Sequence, residues 1–182
     1  MSEIIYSDAD VTVVNKGYGE DSERLAESLG AFPCHRLDRT TTGLLLLAKN
    51  RRAAALLCAP GKIKKTYTAL LEGALENDSG TLDDLLWHDA RRNKSYVVRR
   101  VRAGVKRAVL EYRVTARLEN CTAAEIKLHT GRTHQIRVQF ANAGHPVRGD
   151  RRYGAKTGGD IALRCSGLEF THPNGGKVRF FI

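Results

Sequence analysis

Apolar and polar residues alternate along much of this chain, and the alternation predicts a strand-rich protein. Ile4 to Asn15 reads as two short strands around the turn signal Ser7-Asp8-Ala9-Asp10. Lys65 to Glu72 sets Tyr67, Ala69 and Leu71 against Thr66, Thr68 and Leu70 and is closed by Gly73. From 109 to 118, Leu110, Tyr112, Val114, Ala116 and Leu118 share one face opposite Glu111, Arg113, Thr115 and Arg117, which predicts a half-buried strand. Cys121 to His129 is its hairpin partner across Glu119-Asn120. Gly43 to Lys49 differs: its apolar run is continuous, consistent with a buried strand. The tail adds strand-like pieces around a turn at His172-Pro173-Asn174-Gly175-Gly176.

Helical signals are fewer. Gly17 and Gly19 break the first strand pattern. Ser22 reads as an N-cap, with Leu25 and Leu29 one turn apart and Gly30 as the stop. Asn50 caps a helix through Cys58, which Pro60-Gly61 must end. Thr133 to Ala143 reads as a third helix, ended by Gly144 and Pro146. Pro33 to Thr42 is polar and irregular. The pattern predicts an α+β fold, mainly antiparallel, with no internal repeat.

The chain has 182 residues, the length of a single domain over 1–182, or of one domain split into two lobes. At 42% hydrophobic and 27% charged residues it is globular rather than disordered. Thirty Lys and Arg against twenty Asp and Glu leave a net charge of +10. That excess points to a polyanionic partner, nucleic acid ahead of an anionic membrane, over a merely soluble basic protein. Leu44 to Ala48 is far too short to span a membrane. The N-terminus shows no export signal. Cys34, Cys58, Cys121 and Cys165 form no CxxC pair, and the six histidines show no ligand spacing. A cytoplasmic protein without a metal is expected.

Five segments could carry chemistry. In His35-Arg36-Leu37-Asp38-Arg39-Thr40-Thr41-Thr42-Gly43 one carboxylate sits among cations in a loop feeding a buried strand. Cationic neighbours favour the ionised form, and an anionic oxygen fixed at a strand edge can act as nucleophile or base. The bland reading is a loop salt bridge. In His129-Thr130-Gly131-Arg132-Thr133-His134-Gln135-Ile136-Arg137, Gly131 permits an unusual backbone angle before a helix start that suits a phosphate. His134 and Arg137, three apart, would share a helix face, and Arg137 could reach a carboxylate from elsewhere. An ordinary amphipathic helix is the alternative. In Lys64-Lys65-Thr66-Tyr67, Lys65 and Tyr67 share a strand face, where Tyr67 can stack on a base or simply fill the core.

The fourth segment, Arg91 to Arg107, holds eight cations in 17 positions and no acid, with Trp87 and Tyr96 nearby. Phosphates attract such a segment and aromatics stack unpaired bases. A solvated hairpin face would ordinarily mix both signs of charge. The fifth, Gly144-His145-Pro146-Val147-Arg148-Gly149-Asp150-Arg151-Arg152-Tyr153-Gly154, is a shaped loop that could be purely architectural. A thiol nucleophile at Cys34 has no support from the sequence.

In this order the segments resemble the RluA-type pseudouridine synthases, over nearly the whole chain. His35-Arg36-Leu37-Asp38 with Thr41-Thr42-Gly43-Leu44-Leu45-Leu46 and Ala48-Lys49 is similar to that family's catalytic-aspartate motif. Lys65-Thr66-Tyr67 to Glu72-Gly73 is similar to its tyrosine-bearing strand. Gly131 to Arg137, with Gly144-His145-Pro146, Gly149-Asp150 and Tyr153-Gly154, is similar to its third block. Ile4-Ile5-Tyr6 to Val14-Asn15-Lys16 and Leu168-Glu169-Phe170 with His172-Pro173 also look like family segments.

The resemblance implies a pseudouridine synthase fold: a curved, mainly antiparallel mixed sheet in two lobes with flanking helices and a basic cleft. It implies a short form without an N-terminal S4-like RNA-binding domain, monomeric, acting on a ribosomal or transfer RNA stem-loop and not on membranes. The reaction would cut uracil from C1′ of a flipped uridine, turn it and rejoin it through C5, with no cofactor. Asp38 would be the catalytic carboxylate, by addition to the ring, attack on C1′ or removal of a ribose proton. Tyr67 would stack on the uracil and assist proton removal from C5, and Arg137 would pair with Asp38. Arg36 would fill the space the uridine leaves. RNA contacts are expected from Arg36, Arg39, Lys65, Arg91, Arg92, Arg99, Arg100, Arg132 and His134.

Gly17, Thr40, Thr42, Arg148 and Arg164 depart from the family pattern, and none belongs to the proposed catalytic trio. The competing function is an RNA-binding or ribosome-assembly factor on the same scaffold, with chemistry secondary. It predicts that Asp38→Asn preserves the phenotype, whereas loss of Arg91, Arg92, Arg99 and Arg100 abolishes it. A nuclease using His134 or His145 lacks paired ligands.

Overall fold

A computed structural model describes residues 2–182. They form two compact units: the chain up to Tyr67 together with Leu163–Ile182, and Thr68–Ala162. Strand β5 (Ile63–Glu72) starts in the first and ends in the second.

The first unit is built on strand β4 (Thr42–Ala48), buried from Gly43 onwards as its apolar run requires. β2 (Val11–Lys16) pairs with it antiparallel, and β1 (Glu3–Ser7) pairs with β2. On the other edge of β4 lie the short β3 (Phe32–Pro33), antiparallel, and β10 (Leu163–Thr171), parallel. β10 also carries the antiparallel β11 (Lys177–Phe181) and neighbours β5. Helix α1 (Ser22–Ser28) is capped by Asp21, whose Oδ1 accepts from Glu23 N and Arg24 N at 3.0 and 3.2 Å. Ser22, expected as that cap, is instead the first helical residue, because its hydroxyl is engaged by the backbone of Leu37. Helix α2 (Arg51–Leu57) begins at Asn50 as expected.

The second unit orders its strands β5-β9-β8-β6-β7. β8 (Val105–Arg117) pairs antiparallel with β9 (Cys121–Leu128) and with β6 (Ser79–Asp89), and β6 pairs with β7 (Lys94–Val98). The β6–β7 hairpin has no counterpart among the strands the alternation predicts. Its rows mix apolar and charged residues on both faces, so period-two patterning is weak there. In β8 the expected face runs only from Leu110 to Val114. The β9 register slips between Val114 and Ala116, and this bulge turns the end outward, leaving Leu118 54% exposed.

Helix α3 (Gln135–Asn142) packs Val138 with Leu86, Ala108 and Tyr153. It begins two residues later than expected because His134 takes a left-handed conformation, φ 55°. The unusual angle anticipated at Gly131 therefore falls on His134, which lies outside the helix and shares no helical face with Arg137.

Candidate active site

In the first unit, Asp38 sits on the loop between β3 and β4, and hydrogen bonds pin that loop along its length. Cys34 N–H donates to Leu46 O (3.0 Å) and Leu46 N–H to His35 Nε2 (3.2 Å). Leu37 is bracketed by Ser22, whose hydroxyl accepts from its N–H and donates to its carbonyl, both at 3.1 Å. Thr41 N–H donates to Asp38 O at 2.9 Å. Lys16, fully buried at the end of β2, extends its ammonium to Gly17 O, Glu20 O and Arg39 O at 3.0, 3.0 and 3.4 Å. A buried ammonium satisfied by three carbonyls ties the 17–20 loop to the Asp38 loop. Burial depresses its pKa, and the charges of Glu20 and Asp38 work the other way.

Tyr67 follows from the β5 alternation: with Ala69 and Leu71 it forms the buried face, and Lys65 lies on the same side. Cys165 of β10 lies near its phenol, and burial, with the charges of Cys165 and Asp38, raises its pKa well above the ordinary tyrosine value. Lys65 is lowered by burial, with Cys165 opposing. Burial and the Lys65 charge hold the His35 ring down to a pKa of about 3. Because Nε2 accepts from Leu46, the neutral ring carries its proton on Nδ1, which is buried without a partner.

In the second unit, Arg137 is fixed by α3 and the loop that follows it. Nε and Nη2 donate to Asp150 Oδ2 and Oδ1 at 2.6 and 2.9 Å, the fork geometry that arginine offers a carboxylate. The guanidinium carbon lies 5.1 Å from the Tyr153 ring centre. The Tyr153 oxygen accepts Ser95 N–H at 2.8 Å and shares a hydrogen bond with His134 Nδ1, also at 2.8 Å. Gly149 enables the approach of this loop: its φ is +83°, and a Cβ there would lie 2.3 Å from Asp160 O. Gln135 and Gln139, buried on α3, donate to Val109 O and Ala108 O, anchoring the helix to β8.

Among the described residues no cluster of His, Cys, Asp or Glu could hold a metal ion, and no helix is long and apolar enough to cross a membrane.

Residues 3–142 match the sequence pattern of the RNA pseudouridylate synthase family. The chain belongs to that family. Among curated proteins, an uncharacterized RNA pseudouridine synthase of Bacillus subtilis, YlyB, is 32% identical, covering 96% of this chain and 66% of its own length. An uncharacterized RNA pseudouridine synthase of Aquifex aeolicus is 37% identical over 85% of this chain and 56% of its own. Ribosomal large subunit pseudouridine synthase D of Haemophilus influenzae is 33% identical over 84% and 53%. The chain thus spans about half to two thirds of the length of these relatives. Human RNA Pseudouridylate Synthase Domain Containing 1 superposes with a TM-score of 0.86 at 25% identity, covering 100% of this chain and 83% of that one. The pseudouridine synthase fold expected from the motifs is the fold observed.

Within the first unit, Asp38 is near enough for its charge to act on Tyr67, and Lys65 shares the Tyr67 side of β5. Arg36 and Arg39 lie on the same loop but are exposed, Arg36 against Glu23 (3.2 Å) and Arg39 donating to Gly19 O (3.3 Å). Arg137, Arg132, His134 and the four hairpin arginines belong to the second unit. Arg132 donates from Nε to Arg107 O at 3.0 Å, and His134 is buried. Arg91 and Arg92 sit in the β6–β7 turn with their amides on Asp89, while Arg99 and Arg100 follow β7, exposed.

Sequence reasoning missed Lys16, Cys165 and Asp150. Lys16 reads as an ordinary strand-end lysine. Asp150 stands in a loop that looks architectural, with a Gly-Asp step before a tyrosine as its only signal.

Proposed function

We propose that this chain isomerises uridine to pseudouridine in RNA, with the Asp38 carboxylate as the reacting group. The N1–C1′ bond breaks, a C5–C1′ bond forms, C5 loses its proton and N1 gains one. Atoms and electrons balance without an oxidant or reductant. The observation that carries the reading is the pinned loop that holds Asp38 beside Tyr67, within the motif that defines the family's aspartate segment.

A base in a stack must be turned out before its glycosidic bond is accessible, which costs a few kcal/mol. Stacking on Tyr67 returns about 1–3 kcal/mol. The raised phenol pKa supports a neutral Tyr67 that stacks and donates rather than a phenolate base. Arg137, held by Asp150, is the proposed partner of the Asp38 carboxylate during the reaction. Arg36, Arg39, Lys65, Arg91, Arg92, Arg99, Arg100, Arg132 and His134 are the proposed RNA-facing set. Relatives named as ribosomal large subunit synthases favour a ribosomal RNA stem-loop ahead of transfer RNA. A cytoplasmic monomer completes the proposal.

The test is Asp38→Asn in cells, read by carbodiimide treatment and primer-extension mapping of pseudouridine. The target signal disappears while RNA binding persists. A retained signal in the mutant defeats the proposal.

A further inference from the structure

We propose that the outer face of the β6–β7 hairpin is a stacking platform for an unpaired nucleobase of the RNA, rimmed by phosphate-binding cations. The proposal rests on the RNA reading above and goes beyond it in naming a base-binding site in the second unit. Directly opposed residues of an antiparallel pair share a face. Trp87 opposes Tyr96 on β7 and Val105 on β8. The alternate rows, Leu86 with Val97 and His88 with Ser95, face the other way, and Leu86 and Val97 pack there against Val138 and Tyr153. Trp87 and Tyr96 are therefore turned away from α3. Both are half-exposed, with ring centres 6.0 Å apart and planes 30° from parallel.

A cross-strand aromatic pair stabilises a hairpin by itself, but it needs no crowd of cations around it. Here the Arg102 guanidinium lies 5.1 Å from the Trp87 ring centre, and the Lys94 ammonium, at the hairpin's edge, lies 5.5 Å from that of Tyr96 and 5.4 Å from that of Tyr153. Only Arg92 and Arg107 of the eight cations pair with a carboxylate among the described residues. Like charges held together repel, and a polyanion relieves that repulsion while releasing its counterions. An acidic peptide would use the cations and leave the rings idle. A nucleic acid strand uses both, because every base has a π-face. β7 is the edge strand of its unit, and the hairpin's inner face bonds through Ser95 N–H to the Tyr153 phenol under Arg137. One hairpin thus braces the arginine on one side and offers rings on the other.

Trp87 is the only tryptophan, so its fluorescence reports this face alone. The whole chain is titrated with a short single-stranded oligouridylate and with heparin, a polyanion without bases. Saturable quenching by oligouridylate, with little by heparin, is the expected result. By anisotropy of labelled oligouridylate, Trp87→Leu and Tyr96→Leu each weaken binding about tenfold, while heparin affinity holds. Equal quenching by heparin, or unchanged oligouridylate affinity in both variants, overturns the proposal. Should Trp87→Leu fail to fold, Tyr96→Phe against Tyr96→Leu decides: retention by Phe and loss by Leu supports stacking, and equal affinities overturn it. Asp38→Asn run through the same titration separates the readings. Pseudouridine formation without quenching sinks the platform alone, and quenching by wild type without pseudouridine formation sinks the catalytic reading alone.

Discussion

Asp150 grips the Arg137 guanidinium along one edge, 2.6 Å from Nε and 2.9 Å from Nη2, and neither residue is more than 4% exposed. The pair works as a unit. A guanidinium left in the interior without this carboxylate keeps its desolvation cost and loses two charge-assisted hydrogen bonds. Asp150→Ala is therefore expected to destabilise the protein by about 3–5 kcal/mol in urea unfolding. Asp150→Asn keeps the shape and part of the hydrogen bonding, so its stability loss is smaller. With Arg137 in the role proposed for it, kcat nevertheless falls about a hundredfold, because a guanidinium displaced by about an ångström loses its alignment.

How much of this was legible depended on where the information lies. Asp38, Tyr67 and Arg137 stand in local motifs, and β2, β4, β5 and β9 announce themselves through two-residue alternation or an apolar run. Asp150 contacts Arg137 across thirteen positions, through a loop whose course is set by the left-handed Gly149. No local pattern encodes that meeting. Lys16 is similarly hidden, because its three acceptors are backbone carbonyls, which carry no side-chain signature. The β6–β7 hairpin is not legible as alternation, because its inner face meets α3 through scattered apolar residues, while its outer face mixes Trp87 and Tyr96 with Leu85, Val98, Asp89 and Lys94. Propensity favours a helix from Thr133, whereas the Tyr153–His134 bond accompanies a left-handed residue at 134, and α3 begins after it.

Gly43 of β4 lies directly against Cys165 of β10. Its φ is +106°, and a Cβ would lie 2.3 Å from the Cys165 carbonyl oxygen and 2.8 Å from its nitrogen. Both obstacles are backbone, so nothing can swing aside. Gly43→Ala combines an unfavourable left-handed residue with overpacking, a loss of about 3 kcal/mol or more by thermal or urea unfolding. The same shift displaces Cys165, which neighbours Tyr67, so kcat drops in the fraction that remains folded.

Tyr67 offers a test of its own role. Burial and the nearby Cys165 and Asp38 charges keep its phenol protonated well above the ordinary tyrosine range. The kcat profile should show no alkaline limb from this group up to a pH of about 10. If the ring stacks and the hydroxyl only donates, Tyr67→Phe retains most of kcat. Tyr67→Leu loses the aromatic face and about 1–3 kcal/mol of transition-state stabilisation, read from kcat/KM. A Phe variant as inactive as the Leu variant would show that the hydroxyl takes part in proton transfer.

His35 makes stability depend on pH in a defined direction. Burial, with the Lys65 charge, lowers its pKa from 6.5 to about 3 in the folded chain. Between those values the unfolded chain binds a proton that the folded chain refuses. Its contribution is therefore fully present above 6.5 and is lost as pH falls, with a slope approaching about 1.4 kcal/mol per pH unit. Lowered carboxylates such as Asp8, at about 2, act in the same direction, but only once unfolded carboxylates begin to titrate. The window from pH 6.5 down to about 5 isolates the histidine. His35→Gln, whose side-chain oxygen can still accept from Leu46 N–H, should flatten the stability curve in that window and leave the steeper fall below it. Urea unfolding at closely spaced pH values measures both slopes, and parallel curves for the two proteins would show that the ring takes up its proton in the folded state.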